Sequence, residues 1–250
     1  MVVFVGGVGQ LFQRDLDVGR LAVERLQDLV SDGAVVEELH YGAVAVAQRI
    51  AELAPSALIL IGAVRRQRPA GSVWRRRVHR PSLSAAELQG AVGDAVVGYI
   101  GIDLVVEVAS ALGVLPARTV SIEVEPQETG PGEGLSVACA KAFEEALTLV
   151  RLEVAWTPLL ELADDLRARL AEDRLTPSAA LAAMSGLLDE LTVVDEEGRW
   201  GHTFSRRDEL KLALAEGRSS EGMDHRDWAL WWALIEELNR LQAAEVRAGI

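Results

Sequence analysis

The stretch FVGGVGQLFQRDLDVGRLAVERL, residues 4–26, decides the fold of this chain. Its apolar start, within MVVFVGG (residues 1–7), predicts a short strand. From Asp15 to Val30, apolar side chains such as Val18, Leu21 and Leu29 recur at helical spacing and predict a helix. A strand, a glycine-rich turn and a helix in succession are typical of an α/β protein. One feature is unusual for a site in such a turn, because apolar Leu16 stands between two aspartates.

The glycines of this turn do not form a nucleotide-binding motif. A G-x-G-x-x-G turn needs a third glycine so that helix and strand can pack closely, and that position is Phe12. The lysine of a phosphate-binding loop is also missing from the turn. We therefore predict no dinucleotide site and no cofactor.

Further along the chain, strands alternate with helices. This alternation predicts an α/β fold with a doubly wound, mostly parallel sheet flanked by helices, and a site at the carboxyl ends of the strands. The predicted strands after the first cover residues 34–39, 56–64 and 117–126, and the predicted helices cover residues 44–53, 83–92, 103–112 and 136–150.

Composition excludes several classes of protein. The 250 residues are 50% hydrophobic, which suffices for a real core, and the net charge of −13 argues against broad nucleic-acid binding. Cys139 is the single cysteine, so neither an internal disulfide nor a cysteine-based zinc site is predicted. No apolar run approaches the roughly 18 residues of a membrane span. We predict a cytoplasmic protein with no membrane contact, whose partners are proteins or small molecules.

Seven arginines and no acid lie in VRRQRPAGSVWRRRVHR, residues 64–80. One interpretation is a solvated loop, since runs of like charge are often only that. The other is a clamp for an acidic segment, either of a partner or of this chain's own C-terminal part. The segment follows the strand at residues 56–64, at the edge where ligands dock in such sheets. The candidate partner-binding residues are Arg65, Arg66, Arg68, Arg75, Arg76 and Arg77.

Residues 1 to about 153 resemble the hydrogenase maturation proteases, which remove a C-terminal tail from the large subunit of nickel-iron hydrogenases. The family motif G-x-G-N-x-L-x-x-D-[DE]-G-x-G followed by V-E-x-L is similar to GVGQLFQRDLDVG and then AVERL, with Gly7, Gly9, Asp15 and Gly19 in register. Three later landmarks match in order. They are LILIGA (residues 58–63), GYIGIDLVVEVASALGVLP (residues 98–116), and IEVEP followed by GPGEGLS (residues 122–136).

The resemblance also implies which residues would read the nickel of the substrate. In the family, an acid after the first strand, an aspartate closing the third strand and a later histidine serve as ligands. The matching positions here are Leu16, Gly62 and Gly98, none of which has a donor atom in its side chain. A rearranged carboxylate site built from Asp15, Asp17 and Asp103 is the weaker alternative. We therefore predict no catalytic residues and no metal site.

Past residue 153 the family pattern stops. We predict a second domain over residues 154–250, mainly helical and rich in tryptophan, with a short hairpin in LTVVDEEGRWGHTF (residues 191–204). Its predicted helices cover residues 158–172 and 176–190, and a last helix begins at Asp227. That last helix carries an apolar stripe that includes Trp228 and Trp231. The stripe either packs within the protein or forms an interface with another chain, with Trp228 and Trp231 as candidate partner-binding residues.

These observations favour a non-catalytic relative of the maturation proteases that works as a binding, assembly or chaperone factor. Its predicted partner is a protein, such as a hydrogenase large subunit, a maturation factor or an active protease, and a homo- or hetero-oligomer is possible. One alternative is an active metal-dependent endopeptidase, or another hydrolase, with a rearranged carboxylate site. Another is a structural subunit of an unrelated assembly that uses the same fold.

Overall fold

The computed structural model describes residues 2–78 and 100–171. These residues form a central sheet with helices on both faces. The strands are β1 (Val3–Val8), β2 (Ala34–Glu38), β3 (Ala57–Ala63), β4 (Val73–Val78) and β5 (Arg118–Val124), and the helices are α1 (Val18–Arg25), α2 (Ala43–Leu53), α3 (Ile102–Ala111) and α4 (Val137–Ala171).

The sheet has the strand order β2-β1-β3-β5-β4. β1, β2, β3 and β5 are parallel, whereas β4 runs antiparallel to β5 at one edge. The chain leaves β1 toward one side of the sheet and returns on its other side at β3, which makes the β1–β3 boundary a topological switch point. The predicted α/β fold with a mostly parallel sheet is confirmed.

The two faces of the sheet are covered by different helices. On one face, Phe4 and Leu60 pack in a buried cluster with Val46 of α2 and Val105 of α3. On the other face α1 lies against β1, and Arg25 at the end of α1 forms an ion pair with Glu144 of α4. Both β1 and β3 are buried along nearly their whole length, as parallel strands covered on both faces tend to be.

Two glycines let α1 touch β1 through backbone atoms. A Cβ added to Gly19 would lie 2.1 Å from the carbonyl oxygen of Val8, and one added to Gly7 would lie 2.1 Å from the carbonyl oxygen of Gly19. No side chain fits at either distance. The third glycine of the nucleotide motif is missing from the sequence. Gly7 and Gly19 nevertheless allow the close helix–strand packing that such a glycine provides.

The predicted helix from Asp15 to Val30 is wrong in its extent. Arg14–Asp17 and Gln27–Asp32 are 3-10 helices, and only Val18–Arg25 is α-helical. The first turn is tightened because Asp15 is completely buried and hydrogen-bonded to a distant loop. The second 3-10 helix ends at Gly33, whose φ of 84° is in the left-handed region.

Two other predictions about elements differ from the structure. The arginine segment was predicted as a loop, but residues 73–78 form β4. Val73, Val78 and the aliphatic stems of the arginines pack well on a pleated sheet. Carboxylates lie on both faces of this sheet and pair with the guanidinium groups. Separate helices over 136–150 and 158–172 were also predicted, but α4 continues through position 158. Position 158 is a proline, which has no backbone N–H, but the loss of this one hydrogen-bond donor does not end the helix.

Several predictions lie outside the described residues. These are the helix over 83–92, the second C-terminal helix, the hairpin, and the last helix with Trp228 and Trp231. Within the described residues, the boundary between two compact units falls between Val154 and Ala155, and the division at residue 153 into two domains stays a prediction. In the described part of the chain, no helix is both long and apolar enough to cross a membrane.

The close approach of α1 to β1 yields a test. We expect Gly19→Ala to lower the free energy of unfolding by about 3 kcal/mol, because the methyl group forces the two backbones apart. Without that contact, alanine in a helix would raise it by roughly 1 kcal/mol. A control without the contact is Gly130→Ala, in the loop after β5, where no atom lies within 4 Å of the added Cβ. Urea unfolding followed by circular dichroism compares the two, and equal stabilities would show that the contact is not close.

Candidate functional site

Three connecting segments meet at the carboxyl ends of β1, β3 and β5, and we call this region the carboxyl edge. The turn after β1 is joined to the loop after β5, because Arg14 N–H donates to the carbonyl of Gly132 over 3.1 Å. The segment after β3 is joined to the same loop, because Gly71 N–H donates to the carbonyl of Glu125 over 2.8 Å. The structure therefore places these segments beside the topological switch point.

Asp15 holds this region together. Its carboxylate accepts hydrogen bonds from the backbone N–H groups of Gln127, Glu128 and Ser136 at 2.9, 2.7 and 2.7 Å. The Ser136 hydroxyl donates to it over 2.9 Å and accepts from Cys139 N–H at 3.3 Å, so Ser136 also caps the start of α4. One carboxylate thus connects the turn after β1, the loop after β5 and the first turn of α4.

The hydrogen bonds to Asp15 decide its ionisation. Burial by itself raises the pKa of this carboxyl, but the donors from Glu128, Ser136 and Gln127 outweigh burial and hold the pKa below its ordinary value. Asp15 is therefore a carboxylate at neutral pH, and its oxygen lone pairs are directed to protein donors.

Asp17 and Asp103, the other two aspartates of the weaker metal hypothesis, are each engaged by an arginine. Asp17 receives two hydrogen bonds from Arg20, at 2.7 and 2.6 Å. Asp103, in the first turn of α3, receives two from Arg66, at 2.8 and 2.7 Å. Within residues 2–78 and 100–171, no three His, Cys, Asp or Glu side chains are grouped so that they could hold a metal ion.

The main charged feature of the carboxyl edge is a group of three arginines and two acids, which we call the arginine cluster. Glu123, completely buried at the end of β5, lies 3.0 Å from Arg66, 3.2 Å from Arg68 and 3.0 Å from Arg76. Asp103 completes the cluster at the surface, at 2.7 Å from Arg66 and 3.5 Å from Arg76. Each of the two acids is therefore shared between arginines.

Glu123 is charged despite its burial. Removal from water raises its pKa, but the hydrogen bond from Arg66 and the charges of Arg76 and Arg66 lower the pKa below its ordinary value. Ser121 adds a hydrogen bond at 3.0 Å from the same face of β5. The cluster is fixed in place by these contacts and by Arg68, whose guanidinium lies 4.6 Å from the centre of the Trp74 ring.

Neighbouring arginines of β4 point to opposite faces of the sheet. Arg76 pairs in register with Ser121 and reaches Glu123, whereas Arg75 pairs with Ile122 and reaches Glu153 of α4 at 2.5 Å. Arg118 also binds Glu153, at 2.6 Å, and all three members of this second group are buried. The pKa of Glu153 is raised by burial but is held below its ordinary value by these two arginines. Arg75 therefore ties α4 to the sheet.

The remaining predicted arginines are distributed at the surface. Arg65, which is exposed, donates to the hydroxyl of Thr129 in the loop after β5. Arg77 donates to the carbonyl of Ala117 over 3.2 Å. Partner binding by all six arginines stays a prediction, but in this structure Arg66, Arg68, Arg75 and Arg76 contact carboxylates of the chain itself.

The positions that match the family's metal ligands are at the carboxyl edge, with the exception of Gly98, which lies outside the described residues. Leu16 is half-buried, and its carbonyl accepts from Gln10 N–H at 2.9 Å. A Cβ added to Gly62 would lie 2.5 Å from the carbonyl oxygen of Val8 and 3.4 Å from the side chain of Ile102. The backbone of β1 thus leaves no room for any side chain at position 62.

Glu123, Arg118 and Glu153 were missed by the sequence analysis. Thr119, Ser121 and Glu123 put polar groups at alternate positions of a strand that is buried along its whole length. Such a polar stripe requires charged or hydrogen-bonding partners on one face, and that requirement was the available signal. Glu153 stands among the apolar residues of LEVAW in α4, and a single acid on a helix does not by itself identify a distant partner.

No protein-family model matches the chain, and no curated protein matches it by sequence. Solved structures similar to it include an endopeptidase from Escherichia coli, with 20% identity, a TM-score of 0.48, and coverage of 63% of this chain and 94% of that one. The hydrogenase maturating endopeptidase HybD from E. coli is 21% identical, with a TM-score of 0.42, over 60% of this chain and 90% of that one. A hydrogenase 2 maturation peptidase from Thaumarchaeota archaeon SCGC_AB-539-E09 is 20% identical, with a TM-score of 0.39, over 60% of this chain and 96% of that one.

Asp15 leads to a prediction about stability and pH. Because the pKa of Asp15 is lower in the folded state, its ionised carboxylate stabilises the fold fully at pH values above its unfolded-state pKa of about 4. This stabilisation is lost as the pH falls from that value toward the folded-state pKa. We expect Asp15→Asn to lower the free energy of unfolding by about 2–3 kcal/mol at pH 7, because the buried N–H donors lose a charged acceptor. The difference from wild type should shrink at pH 3. Urea unfolding at both pH values measures it, and a difference independent of pH would contradict the assigned role.

Proposed function

We propose that this chain is a non-catalytic member of the hydrogenase maturation protease family that binds a protein partner during the maturation of a nickel-iron hydrogenase. It acts as an assembly or chaperone factor. The partner is the hydrogenase large subunit or another maturation factor, and the chain holds it without removing a peptide from it.

The observation that carries the proposal is the geometry at Gly62. In the family that the sequence resembles, an aspartate at this position would read the nickel of the substrate. Here the position has no side chain, and the carbonyl of Val8 lies too close for one to be added. Leu16, at the second ligand position, has no donor atom in its side chain. A nickel ion held by the substrate would therefore find no ligand at these two positions.

The charges of the carboxyl edge support the same conclusion. A relocated site would need free carboxylate oxygens, yet Asp15, Asp17 and Asp103 each accept at least two hydrogen bonds from protein donors. The arginine cluster also places three guanidinium groups around Glu123. Positive charge this close to the edge repels a divalent cation.

The resemblance to the family and the architecture together support binding as the retained role. Ligands of doubly wound sheets dock at the carboxyl ends of the strands, near the switch point. Asp15 keeps the turn after β1 and the loop after β5 in a fixed arrangement there. An exposed surface with Leu11 and Phe12, each 55% exposed, lies in the same turn. The predicted contributions of Trp228 and Trp231 to partner binding remain part of this proposal.

The test combines nickel binding with processing of a hydrogenase large-subunit precursor. Titration of the full chain with a nickel salt in a calorimeter should give no stoichiometric binding. Incubation with the precursor should leave its length unchanged on a gel, whereas the immobilised chain should retain the precursor. An active maturation protease of the family serves as the positive control for cleavage.

Two results would show the proposal to be wrong. Shortening of the precursor by this chain would establish a peptidase. A stoichiometric nickel site with a dissociation constant of about 1 μM would show that a rearranged carboxylate site exists, if nickel binding is lost in Asp17→Asn or Asp103→Asn. Failure to retain the precursor or any maturation factor would remove the hydrogenase role.

A further inference from the structure

Building on the proposed function, we propose that the arginine cluster binds an acidic segment of the partner protein, with carboxylates of that segment taking the place of Asp103. The contact surface consists of Arg66, Arg68 and Arg76, with Arg65 beside them. The ligand is identified by its chemistry: a peptide with several closely spaced Asp or Glu side chains.

The first support is the local balance of charge. Four arginines at this edge, the three of the cluster and Arg65, face three acids, Glu123, Asp103 and Glu125, which leaves one positive charge in excess. The described partner of Arg65 is the uncharged hydroxyl of Thr129. Because the whole chain carries −13, this positive surface opposes the overall charge. An acidic ligand would therefore be attracted locally to this edge rather than to the protein as a whole.

The second support is the difference between the two acids. Glu123 is completely buried and charged, so it remains as the internal counterion that positions the arginines. Asp103 is different, because its side chain is 49% exposed and that of Arg76 is 41% exposed. Exposed ion pairs are worth little in water and exchange with other carboxylates at small cost. The cluster thus contains one fixed acid and one replaceable acid.

The third support is geometric. Arg66 presents two N–H groups to Asp103 in the parallel arrangement that suits a carboxylate, at 2.8 and 2.7 Å. Nε and Nη2 of the same guanidinium donate to the buried Glu123 over 3.2 and 3.0 Å, so the guanidinium is held in position by the fixed acid. A carboxylate that replaces Asp103 would meet a donor pair that is already oriented, which lowers the entropy cost of binding.

The experiment measures fluorescence anisotropy of a fluorescein-labelled peptide of six glutamates titrated with the full-length chain. A peptide of six glutamines and a short oligothymidylate are the control ligands. Two variants of the cluster are compared with matched variants of the exposed Arg25–Glu144 pair, which lies on α1 and α4. Arg76→Gln is paired with Arg25→Gln, and Asp103→Asn is paired with Glu144→Gln, so that each pair changes the net charge equally. Thermal melts establish that each variant is folded.

We expect the glutamate peptide to bind and the glutamine peptide not to bind. Arg76→Gln should weaken binding about fivefold and Asp103→Asn should tighten it about threefold, whereas the two control variants should change it less than about twofold. Binding should also disappear between 0.1 M and 1 M salt, as the screening length falls from about 10 Å to about 3 Å. Tighter binding in Asp103→Asn is the informative result, because a purely structural aspartate would give no gain.

Absence of peptide binding in both wild type and Asp103→Asn would overturn the inference, as would equal effects of cluster and control variants. Stronger binding of the oligothymidylate than of the glutamate peptide would overturn the inference in favour of a phosphate-bearing ligand. The proposed function fails separately: retention of the precursor without peptide binding leaves the hydrogenase role intact and removes this surface from it. Peptide binding without retention of a hydrogenase component supports the acidic ligand and removes the hydrogenase role.

Discussion

The buried carboxylate of Asp15 is the interaction on which the carboxyl edge depends. A charged group at 0% exposure is costly unless donors replace the lost water, and Asp15 receives four hydrogen bonds from residues 127–136. These bonds join the turn after β1 to the start of α4, which lies more than 110 residues further along the chain. This hydrogen-bonding role of Asp15 requires no donor atom from its neighbour Leu16. The aspartate maintains the architecture, which any function of this edge would need.

The absence of a side chain at Gly62 and the arginine cluster are physically connected. Gly62 and Glu123 are partners in register on neighbouring strands, so a carboxylate at position 62 would lie beside the buried Glu123. Two acids so close repel each other unless cations neutralise them. In this chain only Glu123 is present, and arginines supply the cations. The edge is thus arranged for guanidinium–carboxylate pairing within the chain.

The sequence predicts the parts of this structure that depend on local patterns. Alternating strands and helices and the glycine turn after β1 follow from periodicity and from the GVG stretch, whereas the close packing of Gly19 on β1 was not predicted. Long-range pairing is not visible in such patterns. Arg66 and Glu123 are 57 positions apart, and Arg75 and Glu153 are 78 apart. A run of arginines without acids therefore left two interpretations, a solvated loop or a clamp for an acidic segment, whereas its carboxylate partners in the structure come from α3, β5 and α4.

The antiparallel strand β4 separates two roles within one run of arginines. Because side chains alternate between the faces of a strand, Arg75 enters a buried group with Glu153 and Arg118, whereas Arg76 reaches the partly exposed cluster around Glu123. Removing one partner from a buried ion pair leaves an uncompensated charge and destabilises the fold strongly, while an exposed pair tolerates exchange. A variant in which Arg75, Arg76 and Arg77 are all replaced would therefore combine loss of the buried pair with loss of the exposed one. The alternation of side chains along the strand thus determines which arginine is buried with Glu153 and which lies in the partly exposed cluster.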